Sequence, residues 1–437
     1  MSARRATAWR LLLACIAALA CLSAAAPAAL AQSTGLPPIK HVFIIVLENK
    51  DYGEAYQVYR SSDPYLSETL PTLGALLPYY FSTGHDSLDN YIALISGQPP
   101  TADTKSDCDP DGSSNEVGSQ ANSYGVAQTG GCWYPANFQT VAGQLHAHRY
   151  TWRGYIEGMK GNCSSTGTPD GEYAEKHNPF PYFASLLDHG QCAANDVPLY
   201  PASDTSGSTA GSNLEHALRR VATTPNFSFI TPDECDDGHN DCINPSSADE
   251  SPQQTEDELA EDNDFLKRWV PLILASPAYK KNGMLLITFD EGDIFPTALD
   301  SCCDEPFTDP DRTPPGGESL NGYYSPGPGG GKVGAVVLSP FVKPGTVSSQ
   351  CYNHYSFLHT VEALFRLPYL AEAAQDDSGQ VGGVNSFGSD VFTDYHRGSS
   401  GSSSATGASS HNRSTGPYCE TTVAVAERTD SLRIGTL

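Results

Sequence analysis

Two acid-bearing dipeptides stand directly after apolar runs of strand length. Glu48-Asn49 follows HVFIIVL, and Asp290-Glu291 follows MLLITF. In an open parallel sheet, ligands bind outside the carboxyl ends of the strands. The two pairs together offer three carboxylates and one amide oxygen. These are hard donors, suited to Ca²⁺, Mg²⁺ or Mn²⁺ more than to a soft metal. Either pair alone reads as an ordinary solvated strand end, and it is their coincidence that argues for a metal. A third feature is GHDSLDNYIALISGQ (84–98), polar and turn-like at first, then apolar with helical spacing. It places Ser87 as the N-cap or first residue of a helix over 88–96, stopped by Gly97. Capping alone accounts for an isolated serine. Beside a metal, the same hydroxyl becomes a nucleophile, because the cation stabilises its alkoxide. Backbone N–H groups and the dipole at the helix start favour an incoming phosphate. Asn90, one turn on, is placed to aim its amide at the same oxygens.

The elements that position these residues are legible as patterns. KHVFIIVLEN, GMLLITFDEG (283–292) and KVGAVVLSPFVKPG (332–345) each contain a continuous apolar run, as in a strand buried on both faces. Helical spacing predicts short helices over 68–78 and 88–96 and longer ones over 255–275 and 355–367. Strands alternating with helices give an α/β class with a central, mostly parallel sheet flanked by helices. The Asp/Gly/Ser-rich stretch 103–135 and the Pro/Gly-rich stretch 293–331 read as long loops near the mouth of the site, pinned by disulfides.

Residues 1–31 carry Arg4, Arg5 and Arg10, a short apolar run and small residues at Ala29 and Ala31. This is the pattern of a signal peptide cleaved after Ala31, and it predicts an extracellular or periplasmic protein. Cys15 sits in a lipobox-like LLAC, but lipidation there leaves almost no apolar segment before it, so plain secretion is the reading. The catalytic domain then spans 32–397. Residues 398–417 are a Ser/Gly-rich flexible segment, and 418–437 form a tail that docks back or extends. Ten cysteines remain in the mature chain, an even number that favours disulfides over metal or redox roles.

Taking the three leader arginines from 25 Lys+Arg leaves 22 against 51 Asp+Glu, a formal charge of −29. That excludes nucleic acid as a partner, since phosphate-backbone binding needs a basic footprint. It also repels an anionic substrate, which a bound cation corrects locally.

Six separated stretches resemble the bacterial phosphoesterase family of acid phosphatases and non-haemolytic phospholipases C, within the alkaline-phosphatase-like superfamily. They are VFIIVLENKDY (42–52), HDSLDNYIALISG (85–97), EKHNPFPYF (175–183), TPDECDDGH (231–239), ITFDEGD (287–293) and SPFVKPGTVSSQCYNHYSFLHTVEALF (339–365). They occur in the family's order. The resemblance implies an alkaline-phosphatase-like fold. It makes Glu48, Asn49, Asp290 and Glu291 metal ligands, and Ser87 Oγ both ligand and nucleophile. Asn90 then holds the phosphate. His177 and His239 donate hydrogen bonds to it, one of them protonating the leaving oxygen, and His85 is a further active-site histidine. His354 is a substrate contact or a helix-capping neighbour. With His239 and Asp236 or Asp237 it forms a second metal site if two cations bind.

The larger superfamily's usual Asp and Asp-His ligands are here Glu48-Asn49 and Asp290-Glu291, which moves the expected cation further from zinc. The implied reaction is two in-line displacements through a phosphoserine, with an acidic optimum because the phosphate contacts need protonated imidazole. The partner is a phosphate ester, with peripheral contact to a lipid substrate allowed, and no oligomeric state is assigned. A phosphomonoesterase is expected. Two alternatives stand beside it: a phospholipase C-type phosphodiesterase, whose larger relatives carry extra C-terminal β domains, and a non-catalytic calcium-binding surface protein.

Overall fold

The computed structural model describes residues 35–110, 115–169, 171–201, 209–244, 251–292, 302–303, 329–374 and 384–395. The expected leader, most of the 293–331 loop, the 398–417 segment and the tail lie outside the described residues. All elements below belong to the unit Leu36–Leu437.

Ten strands are described: β1 His41–Leu47, β2 Ala75–Leu77, β3 Tyr80–Phe81, β4 Trp152–Ile156, β5 Asp196–Pro198, β6 Phe227–Thr231, β7 Gly283–Phe289, β8 Ala335–Leu338, β9 Thr346–Val347 and β10 Tyr352–Asn353. Eight form one sheet in the order β5-β4-β6-β1-β7-β8-β2-β9, and β3 pairs with β10 in a second. The run β5-β4-β6-β1-β7 is parallel throughout. Only β8 reverses, lying antiparallel to both β7 and β2, so the sheet is mostly parallel as expected. Ile45 faces Ile230 on one side and Ile287 on the other. Every residue of β1, β6 and β7 is buried. Their apolar side chains point to both faces because both are covered.

Four helices matter for the site: α1 Ser87–Ser96, α2 Val141–Ala147, α3 Pro252–Ala275 and α4 His354–Phe365. Helix α1 packs on α4, and Phe357 of α4 meets Phe227 of β6 with ring centroids 6.5 Å apart. On α3, Trp269 lies between Phe265 and Tyr200.

The helix expected over 68–78 is corrected. Helical turns cover Tyr65–Thr69 and Leu70–Leu73, and 75–77 is strand β2. Gly74 ends the helix where the chain presses on β8. A Cβ there would fall 2.3 Å from Val337 O, and pairing with β8 overrides local helical spacing. Disulfides join Cys108–Cys132, Cys163–Cys192, Cys235–Cys242 and Cys302–Cys303. The first of them ties the 103–135 loop to itself, as expected.

At the start of β5, Asp196 is fully buried. Its Oδ2 accepts a 2.8 Å hydrogen bond from Asn178 Nδ2, and its Oδ1 has no hydrogen-bond partner. Burial pushes its carboxyl from 3.8 up to about 7, against the opposing pull of Asn178. The folded chain therefore holds a proton that the unfolded chain has lost, and stability falls as pH rises from about 4 to about 7. Asp196→Asn is expected to flatten that part of the profile and to raise stability at pH 8 by on the order of 2 kcal/mol. Thermal midpoints of both proteins between pH 4 and 8 check this, and parallel profiles would contradict it.

Candidate active site

Backbone hydrogen bonds bring three loop starts together at the carboxyl end of the sheet. Asp290 N donates to Leu47 O at 2.7 Å, and Glu48 N donates to Asp237 O at 2.7 Å. The ends of β1 and β7 and the loop after β6 thus share one point. Asn49 takes a left-handed φ of 54°, and its N–H donates to Asp290 Oδ1 at 3.1 Å. The two acidic pairs, 241 residues apart in sequence, meet here. Glu48 and Asp290 are wholly buried. Asp290 Oδ1 also accepts from Glu291 N at 2.6 Å, whereas its Oδ2 is buried with no hydrogen-bond partner. Glu291 Oε2 accepts from Asp86 N at 3.1 Å and sits 2.8 Å from His85 Nδ1.

Ser87 is the first residue of α1, not its cap. The residue before it, Asp86, has φ 76° and makes no side-chain capping bond. A left-handed residue other than glycine costs about 1–3 kcal/mol and persists only where its surroundings impose it. Capping falls to Asp107, whose Oδ1 accepts from Leu88 N at 3.0 Å. Ser87 Oγ instead donates to Glu48 Oε2 at 3.0 Å. Tyr91, one turn later on α1, donates its hydroxyl to Glu48 Oε1 at 2.5 Å.

The histidines divide by depth. His239 lines the cavity, and its Nδ1 lies 2.8 Å from Asn49 Nδ2. An amide donor there puts the neutral ring's proton on Nε2, and when the ring is protonated the amide must turn so that Asn49 Oδ1 accepts from Nδ1–H. His177 is buried beneath. It stacks on Tyr91 at 5.3 Å, with Nε2 3.3 Å from Glu48 Oε2 and Nδ1 3.4 Å from Asp237 Oδ2. His85 lines the cavity beside Ser87.

Two expected substrate contacts fall elsewhere. Asn90 turns its amide inward: Oδ1 accepts from Thr83 N and Gly84 N, and Nδ2 donates to Gly84 O and Asp86 O. It holds the turn that presents Ser87 and does not line the cavity. His354 lies behind the site. Its Nε2 is 2.6 Å from Asp290 O and its Nδ1 3.2 Å from Tyr80 OH, so both ring nitrogens are engaged. Burial lowers its pKa to about 4, against the hydrogen bond to Asp290. The second metal site expected around His354 does not assemble, and Asp236 is paired with Arg268 at 3.1 Å. Glu48, His177 and His239 instead have ligand atoms within 4.8 Å of one another.

Electrostatics explains what the cluster needs. Burial, moderated by His177, pushes Glu48 from 4.5 up to about 7. Burial and Glu48 raise Asp290 well above the carboxylate range, and burial and Asp290 raise Glu291. Asp237 is raised by burial and Glu234. Buried carboxyls that repel one another are costly unless a cation compensates them. Asp290 Oδ2 has no hydrogen-bond partner, as a cation ligand would before its ion binds, and the described ligand atoms that converge in the cluster are those of Glu48, His177 and His239.

Sequence reasoning passed over two lysines. Lys176, beside His177 in EKHNPF, lines the cavity and pairs with Asp107 Oδ2 at 3.1 Å. Burial pulls its pKa down, but Asp107, Glu48 and Glu234 outweigh that, and the net shift is upward. Lys50, in ENKDY, bridges Gly238 O at 2.7 Å and Glu258 Oε2 at 2.9 Å. Both adjoin residues the motifs had singled out, which is the signal that marks them. The cavity they help line has a volume of ≈310 Å³.

Known proteins carry the same chain pattern. A phosphate-repressible acid phosphatase of Penicillium chrysogenum is 25% identical over 280 residues, covering 61% of this chain and 53% of that protein. The chain thus spans about half the length of that fungal relative. A phosphatidylinositol-3-phosphatase of Mycobacterium tuberculosis is 24% identical over 339 residues, covering 77% of this chain and 80% of that protein. Among solved structures, an alkaline phosphatase superfamily protein of Vibrio parahaemolyticus aligns with a TM-score of 0.43 and 12% identity, over 76% of this chain and 71% of that one. The Phosphoesterase family pattern itself matches residues 54–368, from the turn after Asn49 to just beyond α4. On that match, which takes in Ser87, both histidines of the cluster and the Asp290-Glu291 pair, this chain belongs to the Phosphoesterase family.

Proposed function

We propose that the chain is an exported, metal-dependent phosphatase of the acid phosphatase type that hydrolyses phosphate monoesters through a phosphoserine at Ser87. The observation that carries this reading is the Ser87 hydroxyl at the start of α1, held 3.0 Å from a buried carboxylate. Beside it stand an unpartnered Asp290 oxygen and a cavity that opens on the hydroxyl. The Mycobacterium relative's named activity extends the substrate range to phosphorylated lipid headgroups. Among the described residues no helix is long and apolar enough to cross a membrane.

Glu48, Asn49, Asp290, Glu291 and Ser87 would hold a divalent ion, with Ca²⁺, Mg²⁺ or Mn²⁺ favoured over Zn²⁺. Bound there, it supplies positive charge against the serine alkoxide and the phosphate oxygens. In the first step Ser87 Oγ passes its proton to Glu48 Oε2, bonds to phosphorus, and the ester P–O bond breaks. His239, protonated and facing the cavity, gives its proton to the departing alcohol oxygen. In the second step neutral His239 takes a proton from water. The hydroxide bonds to phosphorus, the Ser87 Oγ–P bond breaks, and Glu48 returns its proton to Ser87. His177, between Glu48 and Asp237, orients Glu48. His85 holds Glu291, and Lys176 adds fixed positive charge in a strongly acidic cleft.

The test is hydrolysis of p-nitrophenyl phosphate by the purified chain, with p-nitrophenyl phosphorylcholine beside it, metal stripped and restored. Monoester turnover that returns with metal supports the reading. Turnover of the diester alone would make the protein a phosphodiesterase of the phospholipase C type. Metal binding with no turnover of either would make it a calcium-binding surface protein.

A further inference from the structure

The cavity that exposes Ser87 continues into a patch that no step above uses. Glu54, from the turn after β1, and Gln254, Thr255 and Glu258, from the first turns of α3, line it. These groups are held in place. Glu258 is anchored by Lys50 at 2.9 Å and accepts from Gln254 Nε2 at 2.7 Å on its other oxygen. Glu54 and Asp51 exchange hydrogen bonds, each carboxylate accepting from the other's backbone N–H at 3.2 and 2.9 Å. Gln254 Oε1 is buried and has no hydrogen-bond partner. An acceptor in that state costs about 1–3 kcal/mol unless something donates to it.

No described residue lining the cavity has an aliphatic, Phe, Tyr or Trp side chain. An alkyl or aryl leaving group meets only the carbon stems of polar side chains there and strips water from carboxylates that it cannot bond. A quaternary ammonium finds no Phe, Tyr or Trp face among the described lining residues. A second phosphate on the leaving alcohol would lie beside Glu54 and be repelled, because the Lys50 ammonium is already paired with Glu258. Hydroxyl groups suit the patch, because each can donate to Glu54 and accept from Thr255 in turn.

We propose that Glu54, Gln254, Thr255 and Glu258 form a leaving-group subsite for a neutral, hydroxyl-rich alcohol that carries a single phosphate. This rests on the monoesterase reading of Ser87. That chemistry is offered by free polyol monophosphates, whereas a phosphoinositide headgroup keeps a phosphodiester on its leaving alcohol and falls outside it.

The experiment compares kcat/KM for glycerol 1-phosphate and myo-inositol 1-phosphate with that for propyl phosphate, 3-aminopropyl phosphate and fructose 1,6-bisphosphate, using p-nitrophenyl phosphate as the common reference. Polyol monophosphates are expected to exceed propyl phosphate by roughly tenfold or more, since a site built to bond hydroxyls rejects analogues that lack them. Thr255→Val, at a half-buried helix position, and Glu54→Gln are each expected to narrow that ratio by about threefold or more. Glu54→Gln is also expected to raise the relative rate on the bisphosphate. Vesicles bearing phosphatidylinositol 3-phosphate test the neutral-alcohol limit. Their leaving alcohol carries a phosphodiester, so phosphate release from them is expected to be slower than from myo-inositol 1-phosphate, and equal or faster release would overturn the neutral-alcohol assignment. Equal or faster turnover of propyl phosphate, or preference for the aminopropyl ester, would overturn the subsite while leaving the phosphatase reading intact. Failure to hydrolyse p-nitrophenyl phosphate itself would overturn that reading, and the subsite with it.

Discussion

Ser87→Ala is expected to lower p-nitrophenyl phosphate turnover by at least ~10³-fold while the fold persists and metal still binds, more weakly for the loss of one ligand. The hydroxyl is almost wholly buried, and its one described hydrogen bond goes to Glu48 Oε2. Alanine keeps the helix start, because Asp107 and not Ser87 caps α1. Glu48 keeps its bond from Tyr91 and its contact with His177. The stability cost is therefore about 1 kcal/mol, a small shift in thermal midpoint. The whole loss falls on the chemical step, since no other described side chain in the cavity is a hydroxyl placed against the carboxylate cluster. Acid-quenched wild-type enzyme should carry one phosphoryl group on the peptide containing Ser87, read by mass spectrometry, and the variant none. Activity within tenfold of wild type would remove Ser87 from the nucleophile's role.

Asp290→Asn is expected to cost activity to a similar degree, by a different route that can be read without any substrate. In the wild type, added Mg²⁺, Mn²⁺ or Ca²⁺ should raise the thermal midpoint, because an ion bound only by the folded state stabilises it by about 2.7 kcal/mol at a hundredfold excess over its Kd. In Asp290→Asn that rise should shrink or vanish. The metal-free proteins should show the opposite order. Burial pushes Glu48 from 4.5 up to about 7, and Glu48 and Asp290 repel each other. The metal-free fold thus keeps a proton on Glu48 after the unfolded chain has lost its own, and its stability falls as pH rises from about 4.5 to about 7. Removing the charge at 290 relieves part of that repulsion. The variant is then expected to be the more stable protein at pH 8 without metal and the less stable one with it. Thermal scans with chelator and with each cation check both signs. An undiminished metal-dependent rise in the variant would place the ion elsewhere.

The sequence carried much of this site because its strongest signals are local. An apolar run of seven residues reads as a strand buried on both faces, so the ends of β1 and β7, and with them Glu48-Asn49 and Asp290-Glu291, were fixed within a residue. The switch from polar turn to helical spacing fixed the start of α1 at Ser87, and the flanking Gly97 fixed its end. Shorter strands were less legible. The WRGYI of β4 contains Arg153 and Gly154, and the FSFIT of β6 is only five residues long, so neither stands out by hydrophobicity. Residues 75–77 have helical neighbours and become a strand only because β8 and β9 lie on either side of them.

Residue types and chain order determined the α/β class, the oxygen-rich donor set and the serine at a helix start, since each is written in contiguous sequence. Tertiary structure alone decided the direction of side chains. Asn90 points into the turn at 83–86 and not at the cavity, because four backbone groups compete for its amide. His354 supports Asp290 from behind, 64 residues away in the chain. Asp237 joins the cluster because Glu48 N, 189 positions earlier, donates to its carbonyl. Spacing along a chain records which residues can share a face. It does not record which partner from a distant segment will claim a given donor, and in this protein that choice separates the groups that face the cavity from those that hold them there.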